Sequence, residues 1–379
     1  MLAAVSLGMP VRRFLREYWQ KQPLLIRGAC SGFTGLLSPA ELFCLACRDD
    51  AEARLIRRIG RDWRLSQGPF KSKDFLTGPK QKNWTLLLHD LNHFLPRAAA
   101  LLRQFDFIPH ARVDDVMVSY ATEGGGVGPH FDSYDVFLLQ GLGQRRWQLS
   151  GQQDHDLVAD APLKILRKFK PEQEWLLDPG DMLYLPPGYA HCGVATIECM
   201  TYSIGFRAPS AQDLASAFLS HLQDKLSFDG QYADPDLKIA QHPGKIPAAM
   251  VEFATSVMNR IVWDKKEVGH FLGVYFSEPK PHVFFSPPMR PLPQVKFIAR
   301  AVKSGLRLHL KSRLLFLDNV FYCNGESFKP PKSALRLLRT LADYRFVTAL
   351  GALDDRTAAQ LYAWYCAGFF ELTTDGTLA

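Results

Sequence analysis

After Pro109 the apolar period of this chain shortens from three or four residues to two, and it stays short as far as Arg207. The runs Val116–Tyr120, Val136–Leu139, Arg146–Leu149, Trp175–Leu177, Met182–Leu185 and Met200–Phe206 are brief, β-rich and punctuated by Gly, Pro and Asp. Successive strand residues point to opposite faces, and several short strands at this spacing predict an antiparallel sandwich or barrel over Ala111–Arg207.

The flanks read differently. Val11 to Ile56 is largely helical in pattern, beginning at Phe14-Leu-Arg-Glu-Tyr-Trp and interrupted by the extended run Pro23–Gly28. Leu91, Phe94, Leu95, Ala98, Leu101 and Leu102 recur at helical spacing within Asp90–Phe105. Ala211–Leu226 and Ala248–Trp263 are amphipathic helices separated by a polar loop. Prolines at 279, 281, 287, 288, 291 and 293 mark a linker. Beyond it, strand-like Leu314–Leu317 and Val320–Cys323 flank Asp318-Asn319, followed by helices at Ser333–Ala342 and Arg356–Ala367, a pattern that suits a winged-helix module. No internal repeat or low-complexity tract is present.

With 379 residues, 47% apolar and 22% charged, the chain has length for two or three domains, and disordered, fibrous and collagen-like classes are excluded. The net charge is +7, and residues 290–379 hold 13 Lys and Arg against 7 Asp and Glu, whereas residues 1–289 are nearly balanced at 32 against 31. The basic balance raises the expectation of an anionic partner and places it in the last quarter of the chain. Met1–Pro10 has no signal-peptide core and no run is long enough for a membrane helix, so a cytoplasmic protein without a membrane partner is expected. Seven thinly spread cysteines argue for reduced thiols. Cys44 and Cys47 have metal or redox spacing, but they sit in a helix capped by Ser38 with no second pair, so core packing is expected of them.

The chemistry concentrates in His130-Phe131-Asp132, whose first and third side chains share one side of an extended backbone. Such a triplet arises about once by chance in a chain of this composition, so its surroundings carry the weight. It follows the glycine-rich Gly124–Pro129 and precedes a strand. Downstream, Asp178 to His191 reads as turn, strand, turn and then a histidine presented at a strand start. Two histidines and a carboxylate on a small β-barrel match the facial triad of non-haem Fe(II) oxygenases, which leaves three metal positions open.

At these residues the chain resembles the cupin-type, JmjC-like 2-oxoglutarate oxygenases, and within them the bacterial ribosomal oxygenases. The resemblance rests on Phe14–Ala29, Val127-Gly-Pro-His-Phe-Asp132, Tyr134–Phe137, Gln140-Gly, Arg145-Arg-Trp147 and Pro179–Gly188, and it weakens after about Ser210. It implies an α+β protein: a double-stranded β-helix, or cupin barrel, in residues 1–208, a helical dimerisation region in 209–276 and a winged-helix-like domain in 277–379. It further implies a homodimer, iron held by His130, Asp132 and His191, and a reaction that spends 2-oxoglutarate and O₂, releasing succinate and CO₂ while a C–H bond is hydroxylated. Bacterial members resemble arginine hydroxylases of large-subunit ribosomal protein sixteen; eukaryotic relatives act on histidines.

Arg145 also stands on its own pattern. If Arg145–Leu149 is a strand, Arg145 shares the apolar face with Trp147 and Leu149, and a buried guanidinium needs an anion whose geometry suits its fork. The alternative is an edge arginine that reaches water. In the family a basic residue here grips the distal carboxylate of 2-oxoglutarate. Asp115, Met117 and Ser119 alternate onto one face leading towards the metal, where Ser119 is expected to contact the co-substrate and Asp115, Met117 and Tyr134 the substrate. A carboxylate and a phenol ring can hold a guanidinium, although Asp114-Asp115 would equally suit a solvated turn. Cys192 beside His191 points to the opposite face of its strand and reads as packing. His89 and His93, four apart on a candidate helix, have no third ligand nearby and are not expected to bind zinc.

Three readings follow: a hydroxylase of a large-subunit ribosomal protein, a JmjC-type hydroxylase of a histidine or of a non-ribosomal protein, and a non-catalytic cupin whose basic tail contacts nucleic acid. The complete triad with Arg145 weighs against the last.

Overall fold

A computed structural model describes residues 3–60, 62–75 and 81–373. The strands of the first two hundred residues are β1 (Leu24–Ile26), β2 (Ala53–Ile59), β3 (Asp62–Gln67), β4 (Trp84–Leu88), β5 (Val113–Ala121), β6 (Asp135–Gln140), β7 (Arg145–Ser150), β8 (Gln173–Leu177), β9 (Met182–Leu185), β10 (Ala190–Ala195) and β11 (Cys199–Phe206). They form an eight-stranded sheet in the order β1-β9-β6-β11-β5-β4-β2-β3 and a three-stranded sheet in the order β10-β7-β8. Val136, Leu138, Leu183 and Leu185 of the larger sheet pack against Trp147, Leu149 and Leu177 of the smaller one, so the two sheets close over a common interior. This is the double-stranded β-helix of the cupin fold.

Alternation sorts the larger sheet into two faces. Val116, Val118, Phe137, Leu139, Tyr202 and Ile204 point outward into the main core, which they share with Phe14 of α1 (Val11–Glu17), Leu42 of α2 (Pro39–Ala46) and Leu101 of α3 (Pro96–Arg103). The opposite face carries Asp115, Met117 and Ser119 of β5, with Thr201 and Ser203 of β11 in register beside Ser119 and Met117. The barrel interior is therefore polar along β5 and β11, and apolar where the two sheets meet.

Local chemistry sets the helix ends. Ser38 receives the Glu41 N–H at 3.3 Å while the Glu41 carboxylate accepts the Ser38 N–H at 2.7 Å, a reciprocal cap for α2. Phe14, fully buried, lies within 5.0 Å of the Tyr184 ring and 5.6 Å of the Phe137 ring, joining α1 to the back of the barrel. Phe14→Ala is expected to cost about 3–5 kcal/mol, read as a lower urea midpoint at unchanged slope.

Three elements depart from expectation. The helical pattern drawn through Ile56 ends at Ala46, and Ala53–Ile59 is a strand in which the adjacent Leu55 and Ile56 are both buried, Leu55 in the main core and Ile56 outside it, while Arg58 and Ile59 are exposed. Burial of two neighbours breaks the alternation by which a strand is recognised. Cys44 is exposed rather than packed, because the core-facing stripe of α2 falls on Leu42 and Ala46. His89 follows the end of β4 and His93 ends a turn of 3₁₀ helix, so the two do not share a helix face.

The chain continues through α4 (Ala211–Gln223), α5 (Ala248–Met258) and α6 (Lys265–Ser277). The last part holds α7 (Gln294–Ser304), β12 (Leu306–Leu308), β13 (Leu314–Leu317), β14 (Val320–Cys323), β15 (Glu326–Phe328), α8 (Leu335–Tyr344), β16 (Phe346–Val347), α9 (Asp355–Cys366) and β17 (Phe370–Leu372). Phe297, Leu338, Leu361 and Trp364 form its own core. Asp318, with φ of 53°, turns the β13–β14 hairpin at the position expected. Among the described residues no helix is long and apolar enough to cross a membrane.

Candidate active site

His130 and His191 form a two-residue antiparallel bridge, each backbone N–H donating to the other's carbonyl, at 2.9 Å and 2.7 Å. The bridge ties the Gly124–Asp132 loop to the start of β10. Gly128, with φ of +80°, turns the chain two residues before His130; Gly188, with φ of +75°, donates its N–H to the Asp132 carbonyl at 2.7 Å. Both backbone angles lie in the left-handed region that favours glycine.

Each imidazole is oriented from behind. His130 Nδ1 lies 2.9 Å from the Gly128 carbonyl and His191 Nδ1 lies 2.9 Å from the Tyr189 carbonyl. A carbonyl only accepts, so both Nδ1 atoms carry the proton and both Nε2 atoms present lone pairs. His191 Nε2 stands 3.7 Å from Asp132 Oδ2, and one ligand atom from each of His130, Asp132 and His191 falls within 4.8 Å of the others. Burial, with His130 adding to it, pushes the His191 pKa down to about 4 against the pull of Asp132, which keeps this imidazole neutral near pH 7. A neutral nitrogen donor is what a metal ion requires.

Arg145 emerges on the interior side of β7, opposite Ala195 of β10, while its neighbour Arg146 is exposed and pairs with Glu174. The Arg145 guanidinium is buried, with the residue 5% exposed, and it lies 5.7 Å from the Trp147 ring. Its Nε and Nη2 find no hydrogen-bond partner among the described residues. A buried cation with two unspent donors is costly unless an anion completes it. Thr85 of β4, which no sequence pattern singles out, has a buried hydroxyl that also lacks a partner among those residues. It lies at the same end of the barrel: a Cβ on Gly125 would stand 3.1 Å from Thr85 Oγ1, and the Gly125 carbonyl accepts from Ala195, across from Arg145. No motif marks this threonine, because its strand is itself not recognisable from the sequence.

The remaining expected residues line β5 and the turn after Asp132. Ser119 is buried on the interior face and donates to the Thr201 carbonyl at 3.3 Å. Met117 lies two residues before it, half-buried. Asp115 is also buried rather than part of a solvated turn: its Oδ2 accepts the Asp90 N–H at 2.9 Å, with His89 Nδ1 at 3.6 Å and Lys280 Nζ at 3.8 Å. Burial acts to raise the Asp115 pKa, but His89, Lys280 and the Asp90 N–H together hold it below the usual carboxylate range. Tyr134 is 38% exposed at the rim. Its hydroxyl is pushed well above the usual tyrosine range by burial and then by the carboxylates of Asp132, Asp115 and Asp114. Cys192 is buried, which raises its thiol pKa to about 11 and makes it an unreactive packing residue.

Comparison with known proteins agrees with this geometry. Residues 100–214 match the JmjC domain family and residues 260–371 the ROXA-like winged helix. The chain is 34% identical to the ribosomal protein uL16 3-hydroxylase of Escherichia coli over 84% of its own length and 85% of the relative's. It is 40% identical to a probable ribosomal oxygenase of Haemophilus influenzae over 60% of its length and 55% of that protein's. Among solved structures, Escherichia coli YcfD superposes with a TM-score of 0.84 at 32% identity, covering 97% of this chain and 99% of that one. YcfD in complex with cobalt and 2-oxoglutarate gives a TM-score of 0.81 at 33% identity, again over 97% and 99%. A JmjC barrel, a ROXA-like winged helix and a full-length relative among the uL16 hydroxylases make this chain a member of the JmjC ribosomal oxygenase family.

Proposed function

We propose that this protein is an Fe(II)- and 2-oxoglutarate-dependent hydroxylase of an arginine in large-subunit ribosomal protein uL16. The observation that carries the proposal is the buried Arg145 guanidinium, with two donors unspent, inside the barrel whose rim presents His130, Asp132 and His191. His130, Asp132 and His191 would hold the iron, and Arg145 would receive the far carboxylate of 2-oxoglutarate, with Ser119 and Thr85 lining the same interior. Iron with 2-oxoglutarate and O₂ supplies the oxidising power, releasing succinate and CO₂ as one oxygen atom enters a C–H bond.

The chain's own residues account for the rest. The carbonyls of Gly128 and Tyr189 keep both imidazoles in the tautomer that offers Nε2, and such outer partners set ligand geometry. Trp147, Leu149 and Leu177 keep the inner barrel dry, which strengthens the grip of Arg145 on an anion. Asp115 and Tyr134 would orient the substrate guanidinium, and Met117 would pack against its alkyl stem. A rim of carboxylates favours a cationic side chain over a neutral imidazole.

The division into a catalytic domain (1–208), a helical dimerisation region (209–276) and a winged-helix-like domain (277–379) belongs to the same reading. A homodimer is supported by apolar side chains left open on the middle helices and their connections, among them Leu219, Val262 and Trp263, with Val262 80% exposed. A cytoplasmic location accords with a ribosomal substrate.

The test is succinate release from 2-oxoglutarate with Fe(II), with and without a uL16 peptide, together with mass spectrometry of that peptide. A gain of one oxygen on an arginine is expected, and hydroxylation of another residue type would overturn the assignment. Arg145→Met should raise the KM for 2-oxoglutarate by about 100-fold, the equivalent of a charge-assisted pair of roughly 3 kcal/mol. An unchanged KM would remove Arg145 from the co-substrate site.

A further inference from the structure

Basic side chains of the C-terminal part of the chain are in part turned inward. Lys280, fixed between Pro279 and Pro281 in the segment after α6, reaches Asp90 at 3.0 Å, Asp114 at 3.1 Å and Asp115 at 3.8 Å. His282 adds Asp90 at 2.9 Å. Glu52, Asp90 and His282 converge in the manner of metal ligands, but Lys280 and Arg54 already neutralise these carboxylates, so the group is an ion-pair network. Immediately before β13, the half-buried Arg313 donates to the Val113 carbonyl at 3.0 Å and to the Asp114 carbonyl at 2.8 Å, the first residues of β5. Flanking prolines restrict the backbone that presents Lys280, so little conformational freedom is lost in making these contacts.

These contacts act on one side of Asp115. The Asp90 N–H, His89 and Lys280 all meet Oδ2, whereas Oδ1 makes no hydrogen bond among the described residues. A carboxylate clamped through one oxygen keeps the other in a fixed direction.

We infer that Lys280 and Arg313 are positioning residues of the substrate mouth, through which the winged-helix part of the chain fixes the start of β5 and aims Asp115. The inference rests on the proposed function, in which Asp115 meets the substrate guanidinium. The C-terminal part then serves peptide recognition from behind.

The test uses the full chain with a uL16 peptide and compares Lys280→Met, Lys280→Arg and Asp115→Asn. Lys280→Met should raise the peptide KM by about tenfold, the size expected for an outer partner of a binding group. Peptide-independent succinate release and the KM for 2-oxoglutarate should stay within about twofold of wild type. Lys280→Arg should recover most of the peptide affinity, because it keeps the charge. Loss of peptide hydroxylation in Asp115→Asn with a wild-type peptide KM in Lys280→Met would overturn the inference and leave the substrate role of Asp115 standing. Unchanged peptide kinetics in Asp115→Asn would overturn both. Should Lys280→Met fail to fold, the charge-balanced pair Asp90→Asn with Lys280→Met is measured instead, with the same raised peptide KM expected and a wild-type KM counting against the inference.

Discussion

His191→Ala is expected to abolish both peptide hydroxylation and 2-oxoglutarate turnover. Replacing an outer partner of a metal ligand typically costs 10–100-fold, so loss of the ligand itself should exceed about 100-fold. Every contact of the ring favours metal ligation, since its Nδ1 is engaged by Tyr189, its Nε2 faces Asp132, and burial keeps it neutral. Alanine at this position removes one of the three proposed protein donors and leaves His130 bridged to a backbone that no longer offers a second nitrogen. Titration with Co(II) as a spectroscopic substitute for Fe(II) should show binding weakened in parallel with activity. Retention of wild-type cobalt affinity would exclude His191 as a ligand even if activity fell.

Asp115→Asn is expected to lower kcat/KM for the peptide by about 100-fold, corresponding to roughly 3 kcal/mol for a desolvated charge contact. Asparagine keeps the volume and can still accept the Asp90 N–H through its carbonyl, so the change is chiefly one of charge. Acid stability supplies an independent readout. The Asp115 pKa is depressed in the folded state, so its carboxylate contributes stability that is fully present above the unfolded value near 4 and is lost as pH falls through the folded value. The variant should therefore lose less stability on acidification than wild type over that window, measured by urea denaturation as a function of pH. Equal acid sensitivity in the two proteins would mean that the carboxylate is not held by His89, Lys280 and Asp90 as described.

Much of the barrel is legible in the sequence because its strands are short and bounded by turn residues. Met182–Leu185 falls where expected, and β5, β6, β7, β8 and β11 do so within a few residues at their ends. Alternation puts Arg145 on the apolar face of its strand, one position from the exposed Arg146, and the structure shows that face to be the interior one. Strands β2 to β4 escape notice for the opposite reason. In β2 the adjacent Leu55 and Ile56 are both buried, which breaks the alternation, and Thr85 of β4 is hidden with its strand. Helix α7 follows directly on Pro293, and the proline cluster that reads as a linker conceals its start.

Charge shows the same limit. Composition locates the basic surplus in the last quarter of the chain and suggests an anion outside the protein. Part of it instead meets carboxylates and carbonyls of the catalytic part: Lys311 lies 3.6 Å from Asp50, and Arg313 is bound to the carbonyls of Val113 and Asp114. From sequence alone came the His130-Phe131-Asp132 triplet, the run of short strands and the arginine on an apolar strand face, because each depends on local spacing within one strand or turn, while the cupin barrel came from the family resemblance. Only the tertiary structure brought Lys280, Asp90 and Asp115 together, because that contact joins residues 190 positions apart in the case of Lys280 and Asp90, and a distance of that length along the chain leaves no periodic trace.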